Sequence, residues 1–145
     1  MIEVRPTRDE AEVAAALALR EEVFCGEQGV SLAEERDGRD AEALHLVVVD
    51  DGVVVGTCRL LIEGTTVKLG RMAVSRTRRG LGLARALITE AEARARPLGA
   101  ERMELAAQLN AQALYDRAGY DSYGDVFLDA GIEHRWMDFD FGQLT

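Results

Sequence analysis

The chain has 145 residues and a formal net charge of −9, and 48% of its residues are hydrophobic. This size and apolar fraction suit one folded domain, residues 1–145, and are not typical of disorder. So acidic a protein is a poor general binder of nucleic acid, and that function class is excluded.

Targeting and redox signals are missing from the sequence. No apolar run approaches the roughly 18 to 20 residues of a membrane-spanning helix, and residues 1–5 do not start a signal peptide. The two cysteines, Cys25 and Cys58, have no paired spacing and no histidine cluster beside them. We therefore expect a cytoplasmic protein without membrane partner, disulfide framework or metal site.

The basic residues are 16 arginines and a single lysine, against 26 acidic residues. A lysine-poor, acidic composition is typical of GC-rich genomes. It also suits a halophilic source, because net negative charge keeps protein soluble in salt. A halophilic origin is a hypothesis at this point.

The N-terminal part predicts a strand over residues 2–6 and then a helix. Thr7 and Glu10 have the spacing of a capping box, and the helix continues to about Phe24. Its apolar stripe consists of Val13, Ala16, Leu17 and Phe24. Arg20 lies on that stripe, either as an edge residue whose charge reaches solvent or as a buried functional residue.

Three strands follow an irregular acidic segment, residues 25–42. Residues 44–49 are apolar on both faces, which predicts a central strand. Asp50-Asp51-Gly52 predicts a hairpin turn, and residues 53–63 and 66–74 predict the next two strands.

The rest of the chain predicts two helices and three strands. The predicted helices are residues 80–96 and 111–118, and the predicted strands are residues 102–106, 120–128 and 133–141. A turn at Asp129-Ala130-Gly131 separates the last two strands. This order of elements predicts a mixed α/β domain.

Charge is unevenly distributed along the chain. Residues 68–102 hold nine basic and three acidic side chains, whereas the segments on either side are strongly acidic. A basic island in an acidic chain favours one bound anionic ligand, although ordinary surface arginines would give the same count.

The island contains a strand, a basic loop with two glycines, Gly80 and Gly82, and a strong helix. Glycines let a ligand approach the backbone, and free amides at a helix start hold an anion such as pyrophosphate. The loop lacks the lysine of a Walker motif. It also departs from a dinucleotide fingerprint, because Arg85 stands where the third glycine would be.

This loop, Arg79-Gly80-Leu81-Gly82-Leu83-Ala84, resembles the Q/R-x-x-G-x-G/A loop of the GNAT superfamily of N-acetyltransferases, with the expected strand before it and helix after it. The segment from Asn110 to Tyr120 resembles that family's N-x-x-A-x-x-x-Y-x-x-x-G-F/Y pattern, with one residue between Ala113 and Tyr115 where the pattern has three. Further features resemble the ElaA-like branch: Leu19-Arg20, Val23-Phe24, Glu27-Gln28, Glu35-x-Asp37-x-x-Asp40, His45 and the tail from Asp125 to His134.

The resemblance implies a GNAT-like α/β (α+β) fold, with a mixed, mostly antiparallel twisted sheet of about six or seven strands flanked by about four helices. It implies acetyl-CoA as the acetyl donor and an amine acceptor, either a small molecule or a peptide.

It also implies the donor site. The backbone of the loop would bind the pyrophosphate, through Arg79, Gly80, Leu81, Gly82, Leu83 and Ala84, with help near Arg85. The edge of the strand Met72-Ala73-Val74 would bind pantetheine, with Asn110 touching the same arm. The Met72 amide would polarise the thioester carbonyl, and Tyr115 would protonate the leaving thiolate.

The acceptor side is less specified. Arg20 and Phe24 are candidate substrate contacts, and the candidate general bases are Glu27, His45, Asp125 and His134. The acidic residues between 34 and 42 either line a pocket for a cationic amine or form a solvated loop. We expect direct transfer in a ternary complex, because neither cysteine has a visible activating partner.

Two alternatives stay open. Arg20, Phe24, Asp37, Asp40 and Gly56-x-x-Arg59-Leu60 resemble the start of acyl-homoserine-lactone synthases, which are longer chains. A non-catalytic acyl-CoA-binding domain would share the loop. The sequence leaves the acceptor, the acyl chain length and the choice between monomer and homodimer undetermined.

Overall fold

The computed structural model describes residues 1–144 and contains seven strands and four α-helices. The strands are β1 (Ile2–Pro6), β2 (Leu44–Asp50), β3 (Val53–Glu63), β4 (Thr66–Val74), β5 (Arg102–Gln108), β6 (Asp121–Asp129) and β7 (Ile132–Asp140). The helices are α1 (Glu10–Arg20), α2 (Leu32–Glu35), α3 (Leu83–Ala95) and α4 (Gln112–Arg117). A π-helical stretch, Glu21–Glu27, directly continues α1 and is called the π segment below.

The strands form one sheet in the order β1-β2-β3-β4-β5-β7-β6. Every neighbouring pair is antiparallel except β4 and β5, which run parallel. A parallel pair needs a crossover connection, and α3 supplies it. The predicted fold class, a mostly antiparallel mixed sheet with about four helices, is confirmed.

The two parallel strands separate soon after they meet. β4 and β5 pair only over Thr66–Lys68 and Arg102–Glu104. Further along β4, its register with β3 shifts, and Arg71 adopts a positive φ of 52°. Such a bulge bends a strand and increases its twist, so the edge of β4 that faces β5 is left without a strand partner beyond Lys68.

Helices cover both faces of the sheet. On one face α3 buries an apolar stripe against alternate residues of β2, including Leu46 and Val48. On the other face Ala16 of α1 packs against Val47 and Val49. Alternate strand residues point to opposite faces, so burial on both faces explains the unbroken apolar run of β2.

The first helix differs from its prediction at both ends. Asp9, not Thr7, caps it by accepting a 2.9 Å hydrogen bond from the Glu12 amide. The α-helix ends at Arg20, so Phe24 lies in the π segment. Leu19 of α1 and Val23 of the π segment are buried, whereas the predicted Leu17 is half-buried.

Turns agree better with the sequence. The predicted hairpin has Asp51 and Gly52 at positive φ, 48° and 82°, as a type I′ turn requires. Ala130 and Gly131 repeat that geometry between β6 and β7. The helix predicted from Gly80 starts three residues later, because left-handed backbone cannot belong to an α-helix.

Arg20 belongs to a buried ion cluster that consists of Arg20, Arg59, Arg71, Glu35, Asp37 and Asp40. Its guanidinium, 1% exposed, lies 2.6 Å from an oxygen of Glu35 and 2.6 Å from an oxygen of Asp40. The interpretation of the acidic segment as a solvated loop is therefore wrong for Glu35, which is buried, and for Asp40, which is half-buried. Asp37 is exposed, although it pairs with Arg59. The three acids bind internal arginines and tie residues 32–42 to the sheet.

The cluster predicts a large stability loss on replacing Arg20. Arg20→Met leaves the buried carboxylate of Glu35 without its closest cation, and we expect a loss of about 3–5 kcal/mol in the free energy of unfolding. The control is Arg94→Met, which removes a half-exposed helical ion pair with Glu90 worth less than about 0.5 kcal/mol. Urea unfolding measures both, and equal losses would contradict the buried role.

Candidate active site

A cavity of about 850 Å³ occupies the opening between β4 and β5. Its lining includes eleven of the twelve residues predicted to bind the cofactor: Met72, Ala73, Val74, Arg79, Gly80, Gly82, Leu83, Ala84, Arg85, Asn110 and Tyr115. The twelfth, Leu81, is 65% exposed and is not part of the lining. Residues from four separate segments thus meet in one place.

One end of the cavity has the geometry of an anion site. Gly80 and Gly82 adopt positive φ values of 78° and 79°, and Gly82 caps the 13-residue helix α3. The first hydrogen bond of α3 runs from the Ala86 amide to the Gly82 carbonyl, at 3.0 Å. Amides before Ala86 have no acceptor inside the helix, so they and the helix dipole favour an anion.

Arginines surround this end. Arg79 forms a two-pronged ion pair with Glu27, with both N–O distances at 2.9 Å, and its Nε donates to the Val74 carbonyl at 3.1 Å. Arg78 pairs with Asp50. Of the nine basic residues in the predicted island, five line the cavity: Lys68, Arg71, Arg78, Arg79 and Arg85. The island therefore contributes positive charge to one site.

The wall opposite β4 carries Tyr115 from α4. Its ring packs edge-to-face on Tyr120 at 6.0 Å and is 6% exposed. Its hydroxyl has no hydrogen-bond partner among the residues described. Burial, with a smaller effect of Cys58, raises the pKa of the phenol, so it stays protonated at neutral pH.

The six residues predicted for the acceptor side are not all brought together. Phe24 and His134 line the cavity, whereas Arg20, Glu27, His45 and Asp125 do not. Arg20 is instead paired with Glu35 and Asp40 in the ion cluster. Asp125 lies exposed at the irregular middle of β6.

Glu27 and His45, two further candidate bases, bind partners outside the cavity lining or pair with the loop. The hydrogen bond from Arg79 lowers the pKa of Glu27, which makes its carboxylate a weaker base. His45 is buried, and its Nε2 donates to the Asp40 carbonyl at 2.9 Å. Neither side chain faces the cavity.

His134 is placed differently. It lies on β7 directly across from Gln108 of β5, is 9% exposed and lines the cavity. Its Nδ1 is 2.7 Å from the Ile132 carbonyl, and its ring stacks on Phe127 at 5.8 Å.

Sequence reasoning missed the contacts that roof the cavity. Gln108 donates to the side chain of Gln28 at 2.9 Å, across 80 residues of sequence. Gln28 follows the π segment directly, so this segment is joined to β5 through Gln28 and to the glycine loop through Glu27. Glu27-Gln28 stands out as a local pattern, but nothing local indicates that its partners are Arg79 and Gln108.

The cysteines do not lie in a nucleophilic setting. Burial raises the pKa of the Cys58 thiol, so the reactive thiolate is disfavoured. Cys25 is partly exposed and does not line the cavity. Across residues 1–144 no group of three or more His, Cys, Asp or Glu is placed to hold a metal ion, and no helix there is long and apolar enough to cross a membrane.

The family model described as Acetyltransferase (GNAT) family matches residues 11–120, which include the glycine loop, Asn110 and Tyr115. The chain belongs to the GNAT acetyltransferase family. It is 35% identical over 131 residues to the uncharacterized N-acetyltransferase YjcF of Bacillus subtilis (strain 168), covering 90% of this chain and 94% of that protein.

Solved structures agree with this GNAT assignment. An acyl-CoA N-acyltransferase from Pseudomonas aeruginosa is 31% identical and superposes with a TM-score of 0.84 over 95% of this chain and 99% of that one. Escherichia coli ElaA superposes with a TM-score of 0.85 at 24% identity, over 97% of this chain and 100% of that one, a likeness of fold. The predicted GNAT family is confirmed, and membership of the ElaA-like branch stays a prediction.

The ion pair between Glu27 and Arg79 predicts a change in donor affinity. Glu27→Gln removes a carboxylate that repels an anionic donor, and we expect coenzyme A to bind about two- to fivefold more tightly, the worth of an exposed ion pair. Glu22→Gln removes the same charge from the same segment without touching the loop. Calorimetry on both variants at low salt checks this, and an equal gain in both would mean that only net charge matters.

Proposed function

We propose that this GNAT protein transfers an acetyl group from acetyl-CoA directly to an amine acceptor, within a ternary complex. The observation that carries the proposal is the unpaired edge of β4, which leads from the glycine loop toward Tyr115. An extended pantetheine arm fits beside such an edge as an additional strand, because the edge offers unpaired backbone donors and acceptors.

The donor would bind through the residues predicted for it. Amides of the loop from Arg79 to Ala84 and the start of α3 would hold the pyrophosphate, with Arg85 nearby. The backbone of Met72, Ala73 and Val74 would bind pantetheine, and Asn110 would contact the same arm from the opposite wall.

The chemistry requires a polarised carbonyl and a protonated leaving group. The Met72 amide, next to the bulge at Arg71, would donate to the oxygen of the thioester as negative charge develops there. Tyr115, protonated and buried, would give its proton to the sulfur as the carbon–sulfur bond breaks. Burial also raises the proton affinity of the departing thiolate, which helps a weakly acidic phenol to act as the donor.

Direct transfer is favoured over an acyl-enzyme because neither cysteine faces the cavity. The likeness to acyl-homoserine-lactone synthases has a structural explanation, since Arg20, Asp37, Asp40 and Arg59 are partners in the ion cluster. A purely binding role is disfavoured because both the loop glycines and Tyr115 are present and share one cavity. The acceptor is a small-molecule or peptide amine, and the choice between monomer and homodimer stays a prediction.

A bulky residue in the loop should abolish donor binding. Gly82→Trp fills the space above the first turn of α3, so we expect micromolar acetyl-CoA binding to be lost. The control is Gly99→Trp, since Gly99 has the same positive φ, 83°, and open surroundings but lies outside the cavity. Isothermal titration separates the two, and equal binding by both variants would overturn the proposed donor site.

Loss of the Tyr115 hydroxyl should slow the chemical step. We expect Tyr115→Phe to lower acceptor-dependent thiol release about a hundredfold, within the range of general acid catalysis, and to leave acetyl-CoA affinity unchanged. Tyr120→Phe is the control, because the Tyr120 hydroxyl donates to Glu92 and does not face the cavity. A Tyr115→Phe rate within about twofold of the wild-type rate would rule out the acid role.

A further inference from the structure

We infer that His134 is the general base of the reaction, taking the proton from the attacking amine at Nε2. This inference rests on the proposed acetyl transfer and identifies the side from which the acceptor approaches. Four side chains are candidates on sequence grounds, and geometry separates one of them from the other three.

The hydrogen bonds of His134 determine which nitrogen is available. A carbonyl oxygen only accepts, so the 2.7 Å contact with Ile132 requires a hydrogen on Nδ1. In the neutral ring, Nε2 then carries the lone pair. Nε2 has no hydrogen-bond partner among residues 1–142, although His134 is only 9% exposed and lines the cavity.

The ring is also held in place. Phe127 stacks on it with ring centroids 5.8 Å apart and an interplanar angle of 26°. Trp136 also stacks on Phe127, with ring centroids 5.2 Å apart. A ring fixed by one hydrogen bond and one stack keeps its lone pair in a constant direction. Such pre-organisation lowers the cost of positioning a proton acceptor.

The pairing of β7 with β5 places His134 in the lining of the cavity. It is paired with Gln108, which lines the cavity and bonds to Gln28 in the roof. Paired strands lie about 4.8 Å apart, so His134 is one strand away from the arm-binding groove.

The candidate base and the candidate acid lie on opposite faces of β5. Alternate residues of a strand face opposite ways, and Tyr115 packs in the same core as Leu105 and Ala107. Gln108 and its partner His134 therefore belong to the other face, which α1 and the π segment cover. The amine would approach from that face, and the thiol would leave toward α4.

The other candidates fail on access. Glu27 is paired with Arg79, and Asp125 is exposed away from the cavity. In His45 the two ring nitrogens have the opposite roles: Nε2 is hydrogen-bonded to the Asp40 carbonyl, and Nδ1 is buried without a partner and does not reach the cavity. Only His134 among the four combines access, a free lone pair and a fixed ring.

The amine nitrogen forms a bond to the thioester carbon, and its proton moves to Nε2 directly or through one water molecule. The tetrahedral intermediate collapses, the carbon–sulfur bond breaks, and the sulfur receives the Tyr115 proton. His134 then releases its proton to solvent and Tyr115 regains one, so the products are the amide and free coenzyme A.

The test uses His134→Asn in the full chain. The asparagine amide nitrogen replaces Nδ1 and keeps the bond to the Ile132 carbonyl, while the Nε2 lone pair is lost. We expect kcat/KM to fall about a hundredfold or more, with acetyl-CoA affinity unchanged by calorimetry. Imidazole added to the buffer should restore part of the rate, which a purely structural role would not allow.

Two further variants sharpen the test. His134→Gln guards against poor folding of the asparagine variant and should show the same loss. His45→Gln replaces the other histidine with an amide nitrogen at the Nε2 position that bonds the Asp40 carbonyl, and its kcat/KM should stay within about twofold of the wild-type value. A His134→Asn enzyme with wild-type turnover would overturn the inference, and so would a loss without imidazole rescue and with weakened acetyl-CoA binding. Wild-type protein that neither binds acetyl-CoA nor releases thiol would instead refute the proposed transfer itself, and the inference with it.

Discussion

The separation of β4 from β5 is the constraint on which the rest of the site depends. Two parallel strands that pair over three residues and then diverge leave backbone groups unpaired in the middle of a sheet. Such groups are costly when buried without partners, so the opening must be filled by water or by a ligand with strand-like hydrogen bonding. The bulge at Arg71 produces the divergence, and both walls of the cavity follow from it.

Charge compensation explains how an acidic protein would hold the proposed anionic donor. The acidic segment between the π segment and β2 pairs three of its carboxylates with Arg20, Arg59 and Arg71, where each charge has an opposite partner. The arginines around the glycine loop act over a short range, since salt screens exposed charges beyond about 10 Å. The net charge of −9 is therefore a poor guide to the potential at the loop.

The π segment connects the glycine loop with β5 across the cavity. Glu27 joins it to the donor loop and Gln28 joins it to β5, beside His134. A donor that takes over the Arg79 guanidinium would release Glu27 and leave the Gln28 bridge in place. Binding of the proposed donor would in this way be linked to the proposed acceptor side by two hydrogen-bonded contacts.

The sequence alone determined the local features: the order of the seven strands, the turns with positive φ, the glycine loop and the family to which the chain belongs. These depend on backbone sterics and on patterns within a few residues, which a sequence displays directly. The sequence missed the short helix α2, which lies in the segment predicted to be irregular. It did not separate His134 from His45, because their different roles depend on the bonds of each ring to a carbonyl and on access to the cavity. Nor did it show that Arg20 forms ion pairs with Glu35 and Asp40. It also did not show that Gln28 hydrogen-bonds to Gln108, since the partners of these contacts lie 15 to 80 residues apart in the sequence. Only the tertiary structure decided these pairings, because the free energy of a buried charge or a free lone pair depends on what the fold places around it.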